Sequence, residues 1–143
     1  MGNGKIAILN GPNLNRLGKR QPQIYGTKTM EQEMVEIQRQ WQDVHFIYRQ
    51  SNHEGDLIDW IQELDDVSGI VLNAGGYTHT SVALRDAVAD CACPVIELHI
   101  SDITQREDFR RTSLLTDVCC KTIQGKGIDG YKEAVDYLIH CGK

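Results

Sequence analysis

The sequence predicts an α/β fold, a parallel sheet with helices on both of its faces, and three observations predict it. Short β-rich apolar runs alternate, four or five times, with segments whose apolar residues recur at helical spacing. One run, Gly69-Ile70-Val71-Leu72-Asn73, is almost continuously apolar, as a strand buried on both faces must be. The unusual polar residues follow the strand-like runs rather than precede them. That is where open parallel sheets bind ligands, outside the carboxyl ends of their strands. The 143 residues suit one domain, 1–143, with no linker, low-complexity segment or internal repeat.

Residues 4–10 form the first apolar strand, and a long connection, Asn10 to Gly26, follows it with no period of its own. Connections of that length in a compact domain are usually functional or disordered. This one carries prolines, glycines, Arg16, Arg20 and Tyr25, groups that fix backbone shape and recognise polar ligands. A helix begins near Thr29, with Met30, Met34, Ile37 and Trp41 at helical spacing and Thr29 and Gln32 as a capping box. Val44 to Arg49 reads as the second strand, and Ser51 to Glu54 as a second capping box. The helix it opens buries Leu57, Ile58, Ile61 and Leu64. After the third strand, 69–73, the loop 74–80 leads to a helix with Leu84, Ala87, Val88 and Cys91 inward. Pro94 to Ile100 is the fourth strand, 101–113 a polar loop with a helical turn, and Val118 to Gln124 the fifth strand. Residues 125–130 turn into a last helix, with Tyr131, Ala134, Val135 and Leu138 on one face.

Hydrophobic residues at 41% and charged residues at 24% match an ordinary globular core and surface. No apolar run is long enough to cross a bilayer, and Met1 to Lys5 leads into a strand without a signal-peptide pattern. The expectation is a soluble, cytoplasmic protein. A net charge of −5 argues against nucleic acid as a partner but leaves room for a locally basic pocket holding a small anion. The cysteines, Cys91, Cys93, Cys119, Cys120 and Cys141, are odd in number and lack the two-residue spacing of metal ligands. They read as reduced, small hydrophobes, with no metal.

On the fourth strand Val95, Glu97 and His99 share one face, and Glu97 and His99 stand roughly 7 Å apart along it. A carboxylate that close can orient an imidazole and raise its proton affinity. Tyr25 has two open roles, a loop anchor packed on the sheet or a base. A phenol ordinarily titrates near about 10, so a tyrosine base at neutral pH needs cationic neighbours. Arg16, Arg20, Arg106 and Arg110 all belong to segments that reach the same rim. Gly75-Gly76 permits close backbone approach, and amides at the following helix start and after His99 suit an anion. No G-x-G-x-x-G follows the first strand, so a dinucleotide is poorly supported. A phosphoryl-accepting receiver needs aspartates where Asn10 and Asn73 stand. Two classes stay open on the residues alone, an acid–base enzyme and a binding module for a small anion using the same rim.

Taken together, these residues resemble type II 3-dehydroquinate dehydratases. The matching segments are Asn10 to Leu14 through Arg20 to Tyr25-Gly26, Gln50 to Gly55, Asn73 to Ser81, and Glu97 to Ser101 with Arg106 to Arg110. The resemblance implies a flavodoxin-like three-layer sandwich on a five-stranded parallel sheet. It implies a lyase that reversibly dehydrates 3-dehydroquinate to 3-dehydroshikimate by anti elimination through an enolate, with no metal or organic cofactor. The reaction serves the shikimate pathway of aromatic amino acid biosynthesis, or quinate metabolism. By resemblance Tyr25 is the base, as phenolate. Arg20 favours that phenolate and closes with the loop. Asn13 helps hold the enolate through a water, and His99, oriented by Glu97, protonates the departing hydroxyl. Asn73 and the backbone amides of Ile100 and Ser101 hold the carboxylate region, His79 and Arg110 the ring hydroxyls, and Arg106 helps close the site. Trimers assemble into a dodecamer in which an acidic residue from a neighbour reaches each site, a position matched by Asp86. Asp86 also reads as an exposed helix charge paired with Arg85. Gln21 stands where the family commonly has glutamate, and Gln105 where it has a small residue.

Overall fold

The computed structural model describes residues 4–64 and 66–140; the opening Met1–Asn3 and Cys141, both read above, lie outside them. Five strands, β1 (Lys5–Asn10), β2 (His45–Gln50), β3 (Gly69–Asn73), β4 (Val95–His99) and β5 (Lys121–Gln124), pair in the order β2-β1-β3-β4-β5. Every pairing is parallel. This is the flavodoxin-like doubly wound order. The chain leaves β1 toward one edge and returns at β3 on its other side. The crevice therefore opens at the carboxyl ends of β1 and β3, where Asn10 pairs in register with Asn73.

Alternation along each strand decides which helices it meets. Ile6, Ile8, Val71, Ile96 and Leu98 face α2 (Met30–Gln40) and α5 (Gly130–His140), packing with Met34, Ile37, Ala134 and Val135. Ala7, Leu9, Ile70, Leu72 and Val95 face α3 (Glu54–Glu63) and α4 (Val82–Asp90), packing with Leu57, Ile61, Leu84 and Val88. Burying a side chain of this size stabilises by about 1.5–3 kcal/mol. The strands thus carry two cores, one per face.

The capping box of α2 forms as expected: Gln32 N donates to Thr29 Oγ1 at 3.2 Å and Thr29 N to Gln32 Oε1 at 2.8 Å. The second box does not. His53 caps α3, while Ser51 Oγ accepts from His53 N at 2.9 Å and donates to Asp56 Oδ2 at 2.6 Å. Glu54 is drawn away to accept from Ser81 Oγ, which also caps α4 by accepting from Leu84 N at 2.9 Å. The fifth strand is shorter than its apolar run. Val118 and Cys119 form a turn, both amides bonding Leu115 O, and pack on the α3/α4 face. Pro94 and Ile100 flank β4 rather than belong to it. The long first connection is ordered into a 3-10 turn at Leu14–Arg16 and a short helix, α1 (Pro22–Tyr25).

Candidate active site

Loops after β1, β3 and β4 meet over the crevice and enclose a cavity of about 150 Å³. Asn13, Arg20, Tyr25, Asn73, His79, His99, Ile100, Ser101, Arg106 and Arg110 all line it. The rim predicted from the order of polar residues is therefore one site.

The first loop is held from below by backbone contact. Gly11 N donates to Asn73 O at 2.7 Å, and a Cβ on Gly11 would lie 2.6 Å from Ala74 O. Only glycine lets the two loops approach so closely. Asn13 then takes a left-handed conformation, φ 71°, which asparagine tolerates better than most residues. Its amide donates to Asn52 Oδ1 at 2.9 Å. Gln50 Nε2 donates to Gly11 O at 3.1 Å, and the Tyr77 hydroxyl to Asn52 O at 2.8 Å. The Gln50–Asn52 segment is thus scaffolding for the Asn13 loop. Leu14 and Leu17 root the loop in the α2/α5 core, and Lys28 ties its far end down through Glu33 Oε1 at 2.9 Å and Glu36 Oε1 at 2.7 Å.

Tyr25 packs against that same core with its hydroxyl in the cavity rim. Arg20 lies over its ring, the guanidinium carbon 4.7 Å from the centroid. Arg106, not Arg20, meets the oxygen: its Nη1 donates to Tyr25 Oη at 3.2 Å and to Ser101 Oγ at 3.0 Å. Arg106 and Arg110 share no α-helical face. Each ends or follows a 3-10 turn, Ile103–Gln105 and Asp108–Arg110, and both still reach the cavity.

At the end of β4, His99 Nε2 meets Glu97 Oε2 at 2.6 Å. Glu97 is wholly buried. Burial alone would push its carboxyl up, but the bonds from His99, Ser113 and Thr116 outweigh it and hold the group at about 2. With Nε2 turned to Glu97, Nδ1 is the nitrogen left for a ligand. His79 stacks near His99, ring centroids 6.5 Å apart. Burial pushes its pKa below the usual histidine value, His99 and Arg110 push the same way, and the Thr112 carbonyl opposes them. That carbonyl lies 2.7 Å from His79 Nδ1, so the neutral ring carries its proton there.

Asn73 is fixed by two partners: Gly75 N donates to its Oδ1 at 3.2 Å and its Nδ2 donates to Tyr131 Oη at 3.0 Å. Tyr131, read from sequence only as a core-facing helix residue, donates in turn to Asn10 Oδ1 at 2.7 Å. A buried tyrosine needs a partner for its hydroxyl, and that was the available signal. Ile100 and Ser101 have their carbonyls bonded by Gly127 N at 3.1 Å and Gly125 N at 3.2 Å, which orients the turn after His99. Asp86 is exposed on α4 and does not line the cavity of its own chain. Its expected partner Arg85 instead donates to Leu114 O at 2.7 Å and pairs with Asp117 at 3.7 Å, since successive helix residues do not face each other. Among the described residues no cluster of three His, Cys, Asp or Glu side chains could hold a metal, and no helix is long and apolar enough to cross a membrane.

Fold and site together define a doubly wound α/β protein whose strand-end cavity sets a phenol and a carboxylate-backed imidazole among arginines. Comparison with known proteins narrows that class. Residues 4–139 match the family described as Dehydroquinase class II. The chain is 48% identical over 136 residues to a 3-dehydroquinate dehydratase of an Exiguobacterium species, covering 94% of each. It is 46% identical over 141 residues to a 3-dehydroquinate dehydratase of Mycobacterium tuberculosis, covering 96% of each. The crystal structure of a type II dehydroquinase from Butyrivibrio crossotus superposes with a TM-score of 0.90 at 43% identity, covering 96% of this chain and 99% of that one. The chain belongs to the class II dehydroquinase family.

Proposed function

We propose that this chain is a lyase that reversibly dehydrates 3-dehydroquinate to 3-dehydroshikimate by anti elimination. One observation carries the reading: Tyr25 and His99 line one small cavity, with Arg106 on the phenol oxygen and the buried Glu97 carboxyl behind the imidazole. Tyr25, as phenolate, takes the proton α to the ketone, and Arg20 and Arg106 put positive charge where the phenolate's charge sits. The electron pair moves into the enolate, which Asn13 stabilises through a water; fixed donors serve best where charge develops. The enolate re-forms the ketone as the carbon–oxygen bond to the hydroxyl breaks. His99 Nδ1–H supplies the proton, so that water departs and a carbon–carbon double bond conjugated to the ketone remains. Phenol to imidazole proton return through solvent resets the site. Asn73 and the amides of Ile100 and Ser101 hold the carboxylate, and His79 and Arg110 the ring hydroxyls. Arg106 closes the lid.

The reaction serves aromatic biosynthesis or quinate breakdown in the cytoplasm, where the free thiols of Cys91, Cys119 and Cys120 stay reduced. Trimers assembling into a dodecamer complete each site with Asp86 of a neighbour; its exposure on α4, outside its own cavity, supports that role.

The test is ultraviolet absorbance of the conjugated product formed from 3-dehydroquinate. Turnover that resists borohydride and falls at least about 10²-fold in Tyr25→Phe is expected. A folded wild-type protein without turnover would point to the small-anion binding module, and a fully active Tyr25→Phe would remove the base from Tyr25.

A further inference from the structure

A buried carboxylate is costly unless its lone pairs are matched. Glu97 is completely buried, and four donors converge on it. Its Oε2 accepts from His99 Nε2 at 2.6 Å and Ser113 Oγ at 2.5 Å. Its Oε1 accepts from Thr116 Oγ1 at 2.7 Å and Thr122 Oγ1 at 2.9 Å. Thr122 is the residue opposite Glu97 in the β4–β5 register. Ser113 and Thr116 arrive from the segment that follows the Arg106 loop. That segment is itself anchored, Leu114 N to Thr78 O at 2.9 Å and Arg85 Nη1 to Leu114 O at 2.7 Å. An ionised carboxylate only accepts, so all three hydroxyls donate.

We propose that Ser113, Thr116 and Thr122 are positioning residues for the acid–base step: by saturating Glu97 they keep the shared proton on His99 rather than on the carboxylate. The inference rests on the reading of His99 as the acid. One proton between Glu97 and His99 has two homes. On the imidazole, it gives an imidazolium whose Nδ1–H is a competent acid. On the carboxylate, it leaves a neutral imidazole, a far weaker one. Hydroxyl donors stabilise the first arrangement and are lost to the second. Other groups near the pair do not compete for the proton. His79 is pushed toward neutrality, Arg110 beyond it is permanently charged, and the Cys119 thiol is pushed up by burial first and by Glu97 next.

The experiment is the full-length double variant Thr116→Val/Thr122→Val, which strips Oε1 of both donors at nearly constant shape, beside Thr116→Ser/Thr122→Ser. Circular dichroism checks folding. In the valine pair, kcat is expected to fall about tenfold or more with KM changed by less than about twofold. The acid limb of its pH–kcat profile moves to higher pH as Glu97 loses the donors that favour its ionised form, and nitrogen NMR shows a changed His99 ring spectrum. The serine pair recovers kcat to within about twofold. A folded valine pair with wild-type kcat, pH profile and His99 spectrum overturns the inference. So does a serine pair as impaired as the valine pair, because packing then explains both. A fully active His99→Ala would instead overturn the acid assignment itself, and this inference with it.

Discussion

Arg106 Nη1 donates to the Tyr25 hydroxyl at 3.2 Å, joining two loops 81 residues apart in the chain. The same nitrogen bonds Ser101 Oγ at 3.0 Å, so one guanidinium pins the phenol to the turn that follows His99. Replacing Arg106 by alanine removes the guanidinium donor from that oxygen and unties the two loops at once. The expected result is a kcat lowered about 10²-fold, the usual scale for losing one preorganised charge-stabilising donor. Arg106→Lys recovers part, because an ammonium keeps the charge but not the planar guanidinium that fixes Nη1 between the two oxygens. Steady-state kinetics decide it; unchanged kcat in Arg106→Ala would make the contact incidental to turnover.

Glu97 ties stability to acid pH. Burial opposes its ionisation, but the bonds from His99, Ser113 and Thr116 hold it at about 2 instead of the ordinary 4.5. A carboxyl lowered on folding contributes stability that is fully present above about 4.5 and lost as pH falls toward about 2. The difference corresponds to about 3 kcal/mol at most. Urea unfolding at pH 7, 5, 4 and 3 should show wild-type stability dropping through that window. Glu97→Gln should be weaker at pH 7, where its amide N–H faces other donors, and flatter below. Parallel acid slopes in the two proteins would put the acid sensitivity elsewhere.

The topology was legible because periodicity survives in sequence. Leu57 and Ile61 mark one helix face, the unbroken run at 69–73 marks a central strand, and polar residues after the first, third and fourth strands mark the rim. What was hidden depends on partners distant in sequence. Val118 and Cys119 look like strand because an apolar turn packed on a core has the same composition as one. The Ser51 box failed because Asp56 and Ser81 offered its members other partners, which no local spacing records. Ser113, Thr116 and Thr122 are ordinary hydroxyl residues until the register brings Thr122 opposite Glu97. The Glu97–His99 pair is legible from strand alternation and the role expected of Tyr25 comes from the resemblance, whereas Arg106 rather than Arg20 on the phenol oxygen needs geometry.

Gly11 is the tightest point under the site. A Cβ there would stand 2.6 Å from Ala74 O and 2.8 Å from its carbonyl carbon, and backbone cannot swing aside as a side chain can. Gly11→Ala should cost about 1–3 kcal/mol and displace the Asn13 and Asn73 loops together, so that KM rises and kcat falls. Gly55→Ala is the contrast: its Cβ meets nothing within 4 Å on α3, and the gain in helix propensity stabilises by about 0.5–1 kcal/mol. Thermal unfolding separates them, and equal melting temperatures would refute the close approach at Gly11.

Tyr131 holds the two asparagines at the point where the strand order reverses. Its hydroxyl donates to Asn10 Oδ1 at 2.7 Å and accepts from Asn73 Nδ2 at 3.0 Å, with the side chain fully buried. Burial pushes the phenol up, so the hydroxyl remains a donor throughout the working pH range. Tyr131→Phe keeps the ring and its packing and removes only the oxygen. Asn10 Oδ1 and one Asn73 N–H are then left without that partner in a dry place, at a cost of roughly 2 kcal/mol. Asn73 keeps its bond from Gly75 N, so the loop stays folded while the amide can rotate. If Asn73 binds substrate in ground and transition state alike, KM should rise several-fold with kcat nearly constant. Loss of stability with KM unchanged would make the network a strut of the crevice alone, and a falling kcat at constant KM would move Asn73 from holding the substrate to stabilising its enolate.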